Sequence, residues 1–351
     1  MPIPAVRPRP GRARAARLLT VVAFTLICTQ EVPAVRPAAA PAVAAVAPSP
    51  SASPSPSPSP SGVKPSALDQ LAGPAAPGDL DVMTFNLKYA SRATPNSWKQ
   101  RRPVMRTLLT VEHPDLIGTQ EGLPDQLRDI ESDLGPEYDW IGLGRDGGDD
   151  GEHMAIFFDT TRLSPVKSGN YWLSTTPGVP ASVSWGTNFT RMVTWVLFAD
   201  LRTGRHFYAV NTHLDNTSEN ARRHAARLIR SRLAALDDLP IILTGDFNSP
   251  AETGSQVYRT LVTEPGYQDV WDTAPSRGPE YQSIHNYQPL VRDGERDDWI
   301  LATPGVLPVA VLMNTYRRGR QYPSDHLPVE ARIRLPCPDA YCGMPGGSGE
   351  R

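Results

Sequence analysis

In Ile241-Ile242-Leu243-Thr244-Gly245-Asp246-Phe247-Asn248 an apolar, β-branched run gives way to a glycine and then to two oxygen-bearing side chains two positions apart. Such a run reads as a buried strand ending at a polar edge. Taken alone, Asp-x-Asn is more often a turn with a capping side chain. The pattern recurs, however, in Thr84-Phe85-Asn86, Gly118-Thr119-Gln120-Glu121, Asn211-Thr212-His213, Arg296-Asp297-Asp298-Trp299 and Ser324-Asp325-His326-Leu327-Pro328, each set against an apolar run. If both remain extended, Asp246 and Asn248 point to the same side of the chain.

Around these clusters, short apolar runs alternate with helical periodicity, which predicts a mixed α/β domain without internal repeats. Strands are expected at Leu80–Asn86, Asp115–Thr119, Met154–Phe158, Met192–Asp200, His206–Thr212, Ile241–Gly245, Asp298–Ala302 and Leu327–Ile333. One helix is expected from an Asn216 cap with Glu219 completing a capping box, its apolar stripe being Ala221, Ala225, Leu228, Ile229, Leu233 and Leu236. Arg222, Arg223, Arg227 and Arg230 then face solvent. Two more helices are expected at about Val104–Glu112 and from Pro124 to a stop at Gly135.

Cleaving a phosphoester at neutral pH requires neutralising phosphoryl oxygens, aligning a water and stabilising the leaving oxygen. A hard cation held by one or two carboxylates and amide oxygens does the first. The ordered set Asn86, Gln120-Glu121, Asn211-Thr212-His213, Gly245-Asp246-Phe247-Asn248, Asp298 and Ser324-Asp325-His326 resembles the endonuclease/exonuclease/phosphatase superfamily, over about Leu80 to Leu335. That superfamily includes pancreatic-type deoxyribonuclease, abasic-site endonucleases, deadenylases, bacterial sphingomyelinases and inositol polyphosphate phosphatases. The resemblance implies a four-layer sandwich of two packed mixed β-sheets flanked by helices, dependent on Mg²⁺ or Mn²⁺.

By the same resemblance Glu121 is the principal metal ligand, with Asn86 beside it and Asp325 as a further metal-side carboxylate. Asp246 orients or deprotonates water, Asn248 donates to the phosphoryl oxygen, and His213 contacts the phosphate from the other side. Asp298 and His326 form a carboxylate–imidazole pair, and Glu152 orients His213. Lys88 departs from the pattern: abasic-site endonucleases carry an acid there, which puts a second metal position in doubt.

Substrate-contacting residues are less legible. Arg145, in Arg145-Asp146-Gly147-Gly148, reads either as a phosphate contact or as part of a surface turn. Trp185 with Tyr171, Trp172 and nearby Arg191 reads either as a cleft lining or as buried packing. The implied function is a phosphodiesterase or nuclease. The alternatives are a sphingomyelinase-like enzyme, a sugar or inositol phosphate phosphatase, and a silent binding module on a Pro/Ser stalk. Substrates span nucleic acid, lipid headgroups and phosphorylated small molecules, and the chain is expected to be monomeric.

The ends shorten the folded part. Arg7, Arg9, Arg12, Arg14 and Arg17 precede an uncharged stretch from Leu18 to Thr29, and Ala38, Ala39 and Ala40 follow, the layout of a cleaved secretory signal over residues 1–40. Residues 41–78, with alternating Ser-Pro from Ser53 to Pro60, read as an extended linker, because proline removes the donors that helices and ladders need. The domain is then 79–335, and 336–351 form a tail in which an oxidising compartment favours a Cys337–Cys342 disulfide. The whole chain carries a formal charge of −2, but six arginines and one acid lie in residues 1–62, leaving 29 basic against 36 acidic side chains. Such a domain has no global attraction for polyanions, so a phosphate has to be held locally.

Overall fold

Period-two alternation along the first strand sets the layers. In β1 (Asp79–Asn86) Leu80 and Val82 belong to one buried cluster and Met83 and Phe85 to another, so both faces of the strand are covered. The computed structural model describes residues 64–264 and 266–336. The expected signal segment, the Ser-Pro run and the Cys337–Cys342 pair lie outside the described residues.

Two sheets form. Strands β2 (Leu116–Gln120), β3 (Tyr138–Ile141), β4 (Ile156–Asp159), β5 (Leu163–Trp172), β6 (Met192–Asp200), β7 (His206–His213) and β8 (Ile241–Asp246) are followed by the two-residue β9 (Gln268–Asp269) and β10 (Ser276–Arg277). Then come β11 (Asp298–Ala302), β12 (Leu307–Met313) and β13 (Val329–Arg334). Among the described residues one sheet has the order β10-β12-β13-β1-β2-β4-β3 and the other β5-β6-β7-β8-β11-β9. Val82, Leu116 and Phe158 of the first meet Phe198, Phe207, Ile242 and Ile300 of the second in the central core. Helices α2 (Trp98–Glu112) and α3 (Pro124–Leu134) cover the first sheet through Met105, Leu108, Leu127 and Ile130, and α4 (Glu219–Leu233) covers the second through Ala225, Ile229 and Leu233. The result is the expected four-layer α/β/β/α sandwich.

Several expectations are corrected. Helix α1 (Ala67–Ala72) lies within the stretch read as linker: Leu68 packs on Ala310 and Leu312, and the Ala67 amide donates to Glu112 at 2.7 Å, so the ordered chain starts before residue 79. Helix α2 begins ahead of Pro103, because the Ser97 amide donates to the Gln100 side chain at 3.1 Å and starts the helix at Trp98. Helix α4 is capped by Ser218, whose hydroxyl accepts the Ala221 amide at 3.2 Å, and not by Asn216.

Register positions the site. Parallel pairing of β7 with β8 sets His213 beside Asp246, and antiparallel pairing of β8 with β11 sets Asp298 on its other side. Parallel β1 and β2 bring Asn86 next to Gln120. At this end the inter-sheet core turns polar: Gln120 Nε2 donates to Asn211 Oδ1 at 2.8 Å, while Asn211 Nδ2 donates to the Thr119 carbonyl at 2.7 Å. These two motif residues hold the sheets together and leave the chemistry to their neighbours. A Cβ at Gly245 would lie 2.7 Å from the Thr212 carbonyl, so the residue before Asp246 has to be glycine for the strands to approach.

Candidate active site

Asn86 joins the contributions of the two sheets. Its Nδ2 donates to Glu121 Oε1 at 3.0 Å and to Asp246 Oδ2 at 2.9 Å, while its Oδ1 accepts the Lys88 amide at 3.0 Å. Glu121 sits in the left-handed region, φ 62°, and its Oε2 accepts the Tyr89 amide at 3.2 Å. The second oxygen of Asp246 accepts the Asn248 amide at 2.9 Å. Asn248 is not extended as expected: at φ 47° it turns back, its Nδ2 donating to the Leu214 carbonyl at 3.0 Å, yet it still lines the cleft.

His326 Nδ1 donates to Asp298 Oδ2 at 2.9 Å, both groups buried, and Asp246 Oδ2 lies 3.9 Å from the same nitrogen. Burial alone would lower the imidazole, but the carboxylates of Asp298, Asp246 and Asp325 outweigh it and push His326 up to about 10. Burial and the charge of Asp298 push Asp246 up to about 7, against the pull of His326 and the Asn86 hydrogen bond. His213 Nε2 is 3.4 Å from Asp246 Oδ2. Burial, with Arg191 and His326 adding to it, drives His213 well below the ordinary imidazole range, so this ring is neutral at pH 7.

Glu152 does not orient His213. Its carboxylate pairs with Arg145, the closer and permanently charged partner, and His213 Nδ1 is buried without a hydrogen bond among the described residues. Asp325, expected as a further metal-side carboxylate, is paired with Lys88, whose Nζ lies 2.7 Å from its Oδ2. Burial would raise this carboxyl, but His326 and Lys88 hold it below its usual value.

Arg145 and Arg191 both line the cleft, a recess of about 310 Å³. Arg191 is 6% exposed, and its Nε and Nη1 are buried without any hydrogen-bond partner among the described residues. Phe189 lies under both guanidinium groups, 4.9 Å from Arg145 and 5.8 Å from Arg191. Trp185 falls outside the cleft, stacked on His224 with ring centroids 5.1 Å apart, and Tyr171 and Trp172 are buried in packing clusters. The packing reading therefore holds for all three aromatics.

One residue that composition could not single out is Arg101. It is fully buried, and its Nη1 donates to the carbonyls of Leu87 (2.7 Å) and Pro323 (2.9 Å). Its Nη2 donates to Lys88 (2.9 Å) and Tyr89 (3.0 Å), and its Nε to Asn96 (3.0 Å). The loop after Asn86 and the loop before Ser324 are thereby fixed to one guanidinium. Ser324 adds a second tie, its hydroxyl donating to the Asn86 carbonyl at 2.7 Å. In sequence Arg101 stands ahead of the helix expected at Val104–Glu112, and no local signal separates it from a solvated arginine.

The donor chemistry suits a hard divalent cation. Glu121 presents a partly exposed carboxylate and Asp246 a second one, both held by Asn86 Nδ2, and one or two carboxylates match the sparse oxygen set such ions accept, while the Asn86 oxygen is turned to the Lys88 amide. Ligand atoms of Asp246, Asp298 and His326 also come within 4.8 Å of one another. In that group, though, the imidazole nitrogen is already bonded to Asp298 and the ring is held protonated, which opposes a cation.

A family profile described as Endonuclease/Exonuclease/phosphatase family matches residues 83–326. A solved mannosyl-6-phosphatase of Bacteroides thetaiotaomicron is 34% identical, with a TM-score of 0.68 over 72% of this chain and 99% of that one. An endonuclease/exonuclease/phosphatase of Bacteroides vulgatus is 33% identical, with a TM-score of 0.68 over 73% of this chain and 99% of that one. An uncharacterised protein of Acanthamoeba polyphaga mimivirus is 31% identical over 163 residues, 43% of this chain, which spans 59% of that relative's length. With the profile running from β1 to the Ser-Asp-His cluster, the chain belongs to the Endonuclease/Exonuclease/phosphatase family.

Proposed function

We propose that this protein is a metal-dependent phosphoester hydrolase acting on a small phosphomonoester, a sugar phosphate foremost. The observation that carries this is Arg191: a buried guanidinium with two unbonded donors beside Asp246, Asn248 and His326 is costly unless an anion completes it. The small cleft and the 34% identical mannosyl-6-phosphatase favour a sugar phosphate over a long polyanion.

Glu121, with Asn86 beside it, would hold Mg²⁺ or Mn²⁺, which when bound would supply charge neutralisation for the phosphoryl group. Arg191, with Arg145 beside it, holds the phosphate. Asp246, aimed by the Asn86 side chain and the Asn248 amide, takes a proton from water as the water oxygen attacks phosphorus. A carboxylate poised at about 7 suits that role. Asn248 donates to the phosphoryl oxygen through its remaining N–H, and neutral His213 donates toward the same group. The His326 imidazolium, held by Asp298 through Nδ1, gives its Nε2 proton to the leaving oxygen as the ester P–O bond breaks, and the ring regains a proton from solvent.

Export of the chain is part of this reading and rests on the arginines before Leu18; intact mass of secreted material tests it. A substrate panel of mannose 6-phosphate, inositol phosphates, bis-p-nitrophenyl phosphate, sphingomyelin, RNA and plasmid DNA, with and without EDTA, tests the chemistry. Turnover of the sugar phosphate that EDTA abolishes supports the proposal, whereas cleavage confined to diesters overturns its monoester part.

A further inference from the structure

Segments that adjoin those of the cleft in sequence line a second, larger recess of about 1000 Å³. Its walls continue those of the cleft: Ala90 and Ser91 follow Lys88 and Tyr89, Leu123 and Pro124 follow Glu121, and Gly151 precedes Glu152. Tyr89, 44% exposed, lines the cleft, and the next residue, Ala90, lines the recess. A substrate that outgrows the 310 Å³ cleft while its phosphate remains on Arg191 has this recess as the continuation of its path.

The lining indicates what that continuation is. Trp98, Leu123 and Pro124 give apolar surface, and Trp98 is held in place by its Nε1 donating to Asp129 at 2.8 Å and by Arg101 lying 5.3 Å from its ring centroid. The exposed groups around it are Arg92, Lys99 and Arg128 with Asp125 and Asp149, cations and carboxylates that nearly cancel. A nucleic acid channel carries a marked excess of positive charge, and this recess does not. An aromatic flanked by apolar side chains inside a mixed polar rim suits pyranose rings, which present a C–H face and a belt of hydroxyls.

We propose that the recess is a subsite for glycan residues attached to the phosphorylated sugar, so that the preferred substrate is a phosphorylated oligosaccharide. The inference rests on the phosphomonoester reading above, and its test separates the two. The kcat/KM of the full chain is measured for mannose 6-phosphate and for a mannotriose carrying the 6-phosphate on its terminal residue. The expected preference for the trisaccharide is at least about tenfold, roughly 1.4 kcal/mol. Trp98→Ala, and independently the surface pair Arg92→Ala with Lys99→Ala, should bring the trisaccharide down to the monosaccharide value and leave mannose 6-phosphate within about twofold of wild type, below 0.5 kcal/mol.

Saturation-transfer NMR with unphosphorylated mannotriose reads the recess without turnover. Signal in the wild type that disappears in the surface pair supports the subsite even if neither sugar phosphate is hydrolysed, a result that would defeat only the phosphomonoester reading. Equal kcat/KM on the two substrates, a preference that survives both variants, or absence of mannotriose signal overturns the subsite. Displacement of mannotriose by a single-stranded oligonucleotide would overturn it as well.

Discussion

Replacing Asp298 by Asn removes the charge that holds His326 protonated while keeping the size of the side chain. At the 2.9 Å separation of Oδ2 and Nδ1, two unit charges in a medium of effective dielectric about 20 attract by roughly 6 kcal/mol. Burial of both groups takes back part of that, leaving a cost of about 3–5 kcal/mol when one partner of such a pair is lost. The imidazole, now governed by burial, should fall from about 10 toward or below its ordinary 6.5. Because the folded-state pKa is the higher one, the stabilisation from this pair is fully present below pH 6.5 and is lost as pH rises through about 10. Asp298→Asn should flatten that dependence. Two-dimensional NMR of the imidazole nitrogens follows the titration, circular dichroism follows the fold, and kcat is measured across pH. Single substitutions at either position should cost roughly 10²–10⁴ in kcat, and the double variant little more, because the two residues act as one unit. Multiplying effects would refute the pairing, and a near-wild-type His326→Ala would refute the catalytic role.

Glu121→Gln should weaken Mn²⁺ binding at least about tenfold in a calorimetric titration, because an amide cannot replace carboxylate charge on a hard cation; an unchanged constant places the metal elsewhere. Arg101→Met leaves the carbonyls of Leu87, Lys88, Tyr89, Asn96 and Pro323 without their donor, and a loss of about 3 kcal/mol should lower Tm by roughly 6–12 °C. A scan showing no shift would mean that water serves those carbonyls equally well. Gly245→Ala forces a methyl toward the Thr212 carbonyl, so both stability and kcat should fall, and a variant stable and active as wild type would contradict the strand spacing described.

Strands with one coherent pattern were legible from residues alone. Met192–Asp200 and Asp298–Ala302 have their expected bounds, and Pro124–Leu134 stops at Gly135 as its glycine requires. Strand β5 is hard to read because its middle, Val166 and Lys167, is exposed and a register shift follows Pro165; β12 likewise carries Pro308 at a register shift in its pairing with β13, and its other neighbour is only two residues long. Helix α1 was hidden by its Ala/Pro-rich surroundings, since only docking against Ala310 and Leu312 distinguishes it from spacer.

In the site, residues that end strands could be found because strand register is nearly determined by where apolar runs stop. The partners of loop side chains could not, since they depend on which long side chain reaches across. Glu152 turns to Arg145, and Lys88 reaches Asp325, two pairings that no spacing rule encodes. Arg101 was invisible for the same reason: its five donors are satisfied by carbonyls up to 222 residues away in sequence.

The most direct test of the account is inorganic phosphate released from mannose 6-phosphate by the full chain, measured in Mg²⁺, in EDTA, and in Mg²⁺ with Asp246→Asn. The account predicts release that EDTA abolishes and that Asp246→Asn lowers by at least about a hundredfold, the lower end of what a general base contributes. Release indifferent to EDTA, or to the loss of the Asp246 carboxylate, would contradict it.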